Sequence, residues 1–366
     1  MILDLYAGPG GWDEGMRQIG ITDVIGVEWE PSACATAKAA GHTRIRADVS
    51  RSPIRPGTPI RGLVASPPCQ AWSMAGKRAG EQDRTKAHHL INAYAAGRDD
   101  IGDGWADDRS HHAAQPVRWV RDFRPTWVCF EQVPPVLGLW QHASDALRRW
   151  GYSTWTGVLN SADYGVPQTR ERAVLMARLD KPVHPPAPTH AQHPEGADLF
   201  GGELLPWVSM ADALGWEGID RPARTVCGDR SPRWAYGQGN SYATGWTLDR
   251  RTIGRGPRGS RVPVALVAAD RPAPTLTSQG KPAWVHGRPA TTLAGDPRIA
   301  APGHRDRAGG ERQHDQSIRI AVAEAAILQS FPADYPWQGN KTAQFLQVGN
   351  AVPPRLAAAI VRAATS

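Results

Sequence analysis

Directly after Met1 the chain reads Ile2-Leu3-Asp4-Leu5-Tyr6-Ala7-Gly8-Pro9-Gly10-Gly11, and its first half is organised around this stretch. The apolar residues at the start are typical of a buried strand, and the glycines that follow allow a tight turn close to a ligand. Residues 12–19 then predict a helix. A strand, a glycine turn and a helix in this order are the first part of a βαβ unit.

Two more strands extend this unit, and each ends at an acidic residue. The strand at 23–27 is followed by Glu28 and Trp29, and the strand at 43–47 is followed by Asp48. Units of this kind bind the ribose of a nucleoside cofactor with an acidic residue about 20 positions beyond the glycines. The pattern predicts an α/β fold with a doubly wound sheet, and it leaves two cofactors open, a nicotinamide dinucleotide and S-adenosylmethionine.

A cysteine follows the next predicted strand. Residues 60–64 form a short, mostly apolar run, and they lead into Ala65-Ser66-Pro67-Pro68-Cys69-Gln70. Because proline cannot donate to a sheet, the two prolines end the strand and place Cys69 at its carboxyl end, where open α/β sheets hold their active sites. This thiol is either a covalent nucleophile or a small buried core residue.

Polar side chains also follow two later apolar segments. The strand predicted at 126–130 delivers Glu131, a possible proton donor, to the same edge of the sheet as the cysteine. Gln168, Arg170 and Arg172 alternate along an extended segment and therefore face one way. Three such donors suit a carbonyl or a phosphate, although a solvated edge strand gives the same pattern.

The tract from Ala71 to about Gln115 is polar and rich in glycine. Its length predicts a lid that closes over a substrate, with a disordered surface insertion over about 85–107 as the alternative. The pairs His88-His89 and His111-His112 have no companion ligands at metal spacing. We expect solvated loop histidines and no metal site.

The composition changes between residue 181 and about residue 316, where Pro, Gly, Arg and Trp dominate. An Arg-Pro-Ala pattern begins at Arg221, Arg271 and Arg288, each time before a short β-prone segment. We interpret this region as a second, smaller, irregular β-rich domain with outward-facing arginines. The net charge of +7 suits a polyanionic partner. The predicted divisions are 1–178, 179–316 and a return to the first domain at 317–366.

The cysteines and the apolar segments bear on the compartment. The four cysteines show no paired spacing, which indicates free thiols in a reducing cytosol. No signal peptide or membrane-spanning run is evident at the sequence level. We therefore expect a cytoplasmic protein with no membrane contact.

Taken in order, these motifs resemble the DNA (cytosine-5) methyltransferases. The glycine loop at 4–11 is similar to the family's cofactor loop, Pro67-Pro68-Cys69-Gln70 to its nucleophile motif, and Glu131-Gln132-Val133 to its Glu-Asn-Val motif. The segment 168–172 matches Gln-x-Arg-x-Arg, and Gly349-Asn350 begins the last motif. The region 179–316 falls where the family has its target recognition domain.

The resemblance implies a Rossmann-like fold that uses S-adenosylmethionine and no metal. In the implied reaction Cys69 adds to carbon 6 of a flipped-out cytosine, Glu131 acts at ring nitrogen 3, and Arg172, supported by Arg170, acts at the 2-oxo group. The residues implied for the cofactor are Tyr6, Ala7, Gly8, Gly10, Gly11, Glu28, Trp29, Asp48, Val49, Pro68, Asn350 and Ala351. The residues implied for DNA are Gln70, Ser73, Gln168, Arg221, Arg271 and Arg288.

Two departures from the family pattern affect the nucleophile loop. Gln132 stands in place of the usual asparagine, so we expect rearranged contacts around that loop. The 62 positions from Cys69 to Glu131 exceed the family's compact form. The shape of the predicted lid is therefore left open.

Three other functions fit parts of the pattern. The same chemistry on transfer RNA is one, and a catalytically silent DNA-binding protein is the second. A nicotinamide enzyme is the third, but it leaves Cys69 and Glu131 without a role. We favour a monomer that methylates a specific double-stranded DNA sequence, either with a separately acting restriction endonuclease or as an orphan or phage enzyme.

Overall fold

A computed structural model of the protein describes residues 1–55, 57–72, 79–99, 101–194, 204–215 and 321–366, together with the backbone of five short strands between 246 and 319. Its largest sheet has seven strands. They are β1 (Ile2–Leu5), β2 (Val24–Glu28), β3 (Thr43–Arg46), β4 (Gly62–Ala65), β5 (Trp127–Gln132), β6 (Ser153–Asn160) and β7 (Glu171–Arg178).

The strands lie in the order β3-β2-β1-β4-β5-β7-β6. The first five are parallel, whereas β7 is antiparallel to both of its neighbours. The reversal of order on either side of β1 is the doubly wound arrangement expected from the sequence.

Helices cover both faces of this sheet. Those described are α1 (Gly11–Gln18), α2 (Pro31–Ala39), α3 (Ala79–Ala95), α4 (Gln115–Phe123), α5 (Leu137–Arg149), α6 (Met210–Leu214), α7 (Val322–Leu328), α8 (Lys341–Asn350) and α9 (Pro354–Thr365). The alternation of side chains along each strand supplies two apolar cores. On β5, Val128 and Phe130 join the core formed with α3, α4 and α5, while Trp127 and Cys129 join the core formed with α1 and α9.

The closing helix packs against the opening one. Leu356 and Ile360 of α9 share a core with Ile2 and Met16. The two helices approach closely at Gly15, where a Cβ atom would lie 2.6 Å from the Cβ of Ala357. Helix α9 therefore completes the helical layer that α1 begins on this face of the sheet.

The prediction of a lid or a disordered insertion is wrong over residues 79–95. This segment forms α3, and its buried side chains include Ala87, Leu90, Ile91 and Tyr94. Their spacing of three, one and three positions places them on one face of a helix. The polar residues between them cover the opposite face, so average polarity concealed the periodicity.

Parts of the region 179–316 are described only as short strands. Trp246–Asp249 pairs with Leu266–Ala268 and with Ala283–His286, and Ala283–His286 pairs with Ser317–Arg319; all three pairings are antiparallel. The domain boundaries at 178 and 316 stay a prediction. Among the residues that the structure describes, no helix has the length and apolarity needed to cross a bilayer.

Candidate active site

The reversed direction of β7 brings three segments to one edge of the sheet. The carboxyl ends of β4 and β5 lie at this edge, and because β7 is antiparallel its beginning lies there too. Gln132 at the end of β5 is paired with Ala173 near the start of β7. The loop that carries Cys69, the side chain of Glu131 and the side chain of Arg172 are therefore delivered to the same place.

Glu131 and Arg172 form a buried ion pair at this edge. Arg172 Nε lies 2.8 Å from Glu131 Oε1, and both side chains are less than one-tenth exposed. Arg172 also donates through Nη1 to the carbonyl of Glu171 at 2.7 Å. A carboxylate and a guanidinium held in this way present acceptor and donor groups side by side in a region of low polarity.

The thiol of Cys69 lies within electrostatic range of this pair. Burial raises the pKa of Cys69, while the positive charges of Arg172 and Arg170 lower it and the charge of Glu131 raises it. The sulfur is therefore protonated at neutral pH in the resting protein. The two arginines favour the thiolate, which is the reactive form.

The loop that carries the cysteine is held by Gln132. Its Nε2 donates to the carbonyl of Pro67 at 2.8 Å, and its Oε1 accepts from the backbone N–H of Val133. A second hydrogen bond to this loop comes from Trp12, whose Nε1 donates to Ser66 Oγ at 2.9 Å. The glutamine that departs from the family pattern thus connects the end of β5 to the proline turn.

Arg170 and Gln168 are buried and face the C-terminal helices. Arg170 donates to the carbonyl of Gly349 at 3.0 Å, and burial together with Arg172 lowers the pKa of Arg170 to about 9. Gln168 is fully buried, with its amide nitrogen 3.5 Å from the carbonyl of Leu328. A DNA contact by Gln168 stays a prediction, as does one by the half-buried Gln70.

The glycine loop is held in an unusual backbone conformation next to Glu28. Gly8 and Gly10 have φ angles of +53° and +114°, which favour glycine. Glu28 Oε2 accepts from the Gly8 N–H at 2.9 Å, and Oε1 accepts from the N–H groups of Trp29 and Glu30. The indole of Trp29 is 73% exposed, which leaves a flat apolar surface beside this carboxylate.

The other predicted cofactor residues lie around this loop. Asp48 Oδ1 accepts from the Ser50 N–H at 2.8 Å. Burial by itself would raise the pKa of Asp48, but this hydrogen bond outweighs it and holds the pKa below its usual value. The carbonyl of Val49 accepts from Arg118 at 2.9 Å and from Trp119 at 3.1 Å.

The last motif reaches the same loop. A Cβ atom at Gly11 would lie 2.2 Å from the carbonyl oxygen of Val352, so only glycine fits there. This contact places Asn350, which is exposed, and Ala351, which is buried, next to the glycine turn. Pro68 is half-buried in the cysteine loop. Ser73, Arg221, Arg271 and Arg288 lie outside the described residues.

A buried ionic cluster beneath the glycine loop was not predicted. Arg44 donates to both carboxylate oxygens of Asp13, at 3.1 and 2.7 Å, and lies 3.5 and 3.4 Å from the carbonyl oxygens of Ala7 and Gly8. Burial by itself would raise the pKa of Asp13, but the charge of Arg44 outweighs it and holds this pKa below its usual value. At Asp4, burial and the nearby Asp13 raise the pKa well above its usual value. The one signal in the sequence is the position of Arg44 inside a strand.

The expectation of solvated histidines is wrong for three of the four residues. His88 Nδ1 lies 2.8 Å from Nδ1 of His142, and His112 Nδ1 lies 3.0 Å from the hydroxyl of Tyr6 in the cofactor loop. The ring of His111 is 4.1 Å from that of His112, and only His89 is exposed. Among the residues that the structure describes, no group of three or more His, Cys, Asp or Glu side chains could hold a metal ion.

Three features together define an α/β methyltransferase. They are the doubly wound sheet, the glycine loop, and the thiol beside a buried carboxylate–arginine pair. The profile of the C-5 cytosine-specific DNA methylases matches residues 1–96 and 100–366. The chain belongs to this family and is an enzyme of the kind that the sequence motifs predicted. Membership excludes the nicotinamide alternative.

Similar proteins come from prokaryotic modification systems. Type II methyltransferase M1.HphI of Haemophilus parahaemolyticus is 28% identical, over 99% of this chain and 85% of the relative. Type II methyltransferase M.XorII of Xanthomonas oryzae pv. oryzae is also 28% identical, over 98% of this chain and 82% of the relative.

Two solved structures share the fold. The putative DNA modification methyltransferase of an Escherichia coli prophage has a TM-score of 0.53 at 18% identity, over 99% of this chain and 97% of that one. The DNMT2 mutant of Spodoptera frugiperda has a TM-score of 0.57 at 16% identity, over 100% of this chain and 99% of that one. At these identities the likeness concerns the fold alone.

Proposed function

We propose that the protein methylates carbon 5 of a cytosine that is flipped out of a specific double-stranded DNA sequence, through a transient bond between Cys69 and carbon 6. The observation that carries the proposal is the buried Glu131–Arg172 pair, with its 2.8 Å contact, within electrostatic range of the thiol. The type II methyltransferases among its relatives support a specific DNA substrate.

The residues around the glycine loop fit S-adenosylmethionine. The Glu28 carboxylate suits a ribose diol, the charged Asp48 suits an adenine amino group, and the exposed indole of Trp29 offers a surface for stacking. When bound, the cofactor supplies an electrophilic methyl group. The site residues must therefore make carbon 5 of cytosine a nucleophile.

Each site residue has one task in this chemistry. The Cys69 thiolate adds to carbon 6, which turns the ring into an enamine with electron density at carbon 5. Glu131, once it has taken up the proton of the Cys69 thiol, donates at ring nitrogen 3, and Arg172 donates to the 2-oxo group, so the developing charge is stabilised in a water-poor site. After methyl transfer a water molecule takes the proton from carbon 5, and the elimination re-forms the double bond of the ring and releases the sulfur.

The base must leave the stack to reach this edge of the sheet. The net charge of +7 favours binding to the phosphate backbone. We assign sequence recognition to residues 179–316, and we propose that the protein acts as a monomer. A restriction endonuclease would act separately on the same sequence.

Covalent trapping tests the proposal. Duplex DNA of mixed sequence that contains 5-fluorocytosine should form a denaturation-resistant adduct with the wild-type protein in the presence of S-adenosylmethionine, because fluorine blocks release of the sulfur. Cys69→Ala should bind the DNA but form no adduct, whereas Cys129→Ala, which removes a thiol from the core, should still form it. An adduct with Cys69→Ala would refute the mechanism, and an adduct with RNA alone would refute the DNA substrate.

A further inference from the structure

The short turn at Ser110–Ala113 is fixed against the rest of the fold. Asp83 of α3 accepts hydrogen bonds from the backbone N–H groups of Ala106 and Asp107, at 2.8 and 3.0 Å. The carbonyl of Asp107 in turn accepts from the N–H of Ser110 at 2.8 Å. The histidines of this turn are therefore held in position by a buried carboxylate.

His112 of this turn contacts the cofactor loop through Tyr6. The Tyr6 hydroxyl lies 3.0 Å from His112 Nδ1, and the two rings meet edge to face with centroids 5.4 Å apart. Tyr6 has a φ angle of +60°, which is costly for a residue with a Cβ atom. Such a conformation persists only where its surroundings enforce it, so the contact with His112 helps to set the shape of the loop.

Burial keeps both side chains neutral. Burial raises the pKa of Tyr6 well above its usual value, and the nearby charges of Asp48 and Glu28 act in the same direction. Burial and the neighbouring His111 lower the pKa of His112 to about 4, against the opposing charge of Asp48. Tyr94 and Arg118 also act on Tyr6, in opposite directions. A neutral Tyr6 and a neutral His112 can share one hydrogen bond, between the hydroxyl and Nδ1.

We propose that Tyr6 and His112 act as one neutral, hydrogen-bonded unit that forms the wall of the cofactor site next to Asp48 and sets its affinity for the adenosyl group. This inference rests on the proposed function, because it assumes that the glycine loop binds S-adenosylmethionine. His112 is then a positioning residue: it acts through Tyr6 and the backbone that Tyr6 anchors. Its imidazole carries its proton on Nε2.

Calorimetric titration with S-adenosylhomocysteine tests the pair. Tyr6→Phe and His112→Leu should each raise the dissociation constant by roughly 3- to 10-fold, as expected for one buried hydrogen bond. The double variant should bind no more weakly than either single variant. His112→Asn, whose side-chain oxygen can accept in place of Nδ1, should remain close to wild type. His89→Leu, which replaces an exposed histidine of α3, is the matched control and should change nothing.

Two further readouts separate this role from a purely structural one. DNA affinity should be nearly unchanged in Tyr6→Phe, and the nitrogen NMR shifts of His112 in the wild type should report a neutral imidazole protonated on Nε2 at pH 6. Additive losses in the double variant, or single variants that bind S-adenosylhomocysteine as the wild type does, would overturn the inference. A wild-type protein that does not bind S-adenosylhomocysteine would instead overturn the proposed function.

Discussion

Replacing Gln132 with methionine tests how the nucleophile loop is positioned. Methionine has nearly the same length and shape but makes no amide hydrogen bond. The change leaves the buried carbonyl of Pro67 and the N–H of Val133 without their side-chain partner. Each buried polar group left without a partner costs about 1–3 kcal/mol, so the free energy of unfolding should fall by about 2–6 kcal/mol.

The effect on the reaction should be separate from the effect on stability. A displacement of about 1 Å in a reacting group can reduce the rate about 10²-fold. Because Pro67 lies two residues before Cys69, we expect a loss of this size in the rate of a single turnover, measured with radiolabelled S-adenosylmethionine. The dissociation constant for S-adenosylhomocysteine should change little, since the side-chain hydrogen bonds of Gln132 go to Pro67 and Val133 and not to the glycine loop.

Two matched variants make the outcome decisive. Gln132→Asn keeps the amide on a side chain that is one methylene shorter, and it should fall between wild type and Gln132→Met. Gln347→Met removes another buried glutamine, which bonds to Ser32 and Gln338 away from the cysteine loop. It should lose stability and keep its single-turnover rate. A wild-type rate in Gln132→Met, despite the same loss of stability, would refute the positioning argument.

Three other substitutions test the charges in and below the site. Arg172→Leu removes the positive charge that does most to lower the pKa of Cys69, so alkylation of the thiol by iodoacetamide should require a higher pH than in the wild type. An unchanged pH profile would contradict the role assigned to Arg172. Arg44→Met leaves the buried Asp13 carboxylate without its guanidinium partner, and urea denaturation at pH 7 should show a loss of about 3–5 kcal/mol. The pKa of Asp13 is lowered in the folded state, so the ion pair stabilises the protein above the pKa that Asp13 has in the unfolded chain, and this stabilisation disappears as the pH falls. The loss of stability caused by Arg44→Met should therefore shrink below about pH 4. A loss that stays constant with pH would argue against the pair. Asp48→Asn should raise the dissociation constant for S-adenosylhomocysteine about tenfold without changing DNA affinity, and equal affinity would exclude Asp48 from the cofactor site.

The strands and the residues at their ends could be predicted because each of these signals is local. An apolar run followed by prolines fixes where β4 ends and hence where Cys69 lies, and the same reasoning places Glu131 after the core of β5. The strand boundaries in the structure differ from the predicted ones by two residues at most. In parallel sheets the carboxyl ends of the strands share one edge, so local patterns were enough to bring these side chains together.

The remaining features depend on pairs of residues far apart in the chain. Arg44 meets Asp13 across 31 positions, and Tyr6 meets His112 across 106. Nothing in the local sequence around either partner specifies the other. Helix α3 was missed for a different reason: its apolar residues form a narrow stripe within a polar segment, and the stripe shows only when spacing, rather than average polarity, is measured.

The packing of α9 against α1 has a consequence for synthesis of the protein. Ile2 and Met16 are buried partly by Leu356 and Ile360, side chains that the ribosome adds more than 300 residues later. Until then the nascent chain exposes an apolar surface, and the eventual closure spans almost the whole polypeptide. Refolding from denaturant should therefore be slow and should compete with aggregation, and yields should improve when the protein is diluted or a chaperone shields that surface.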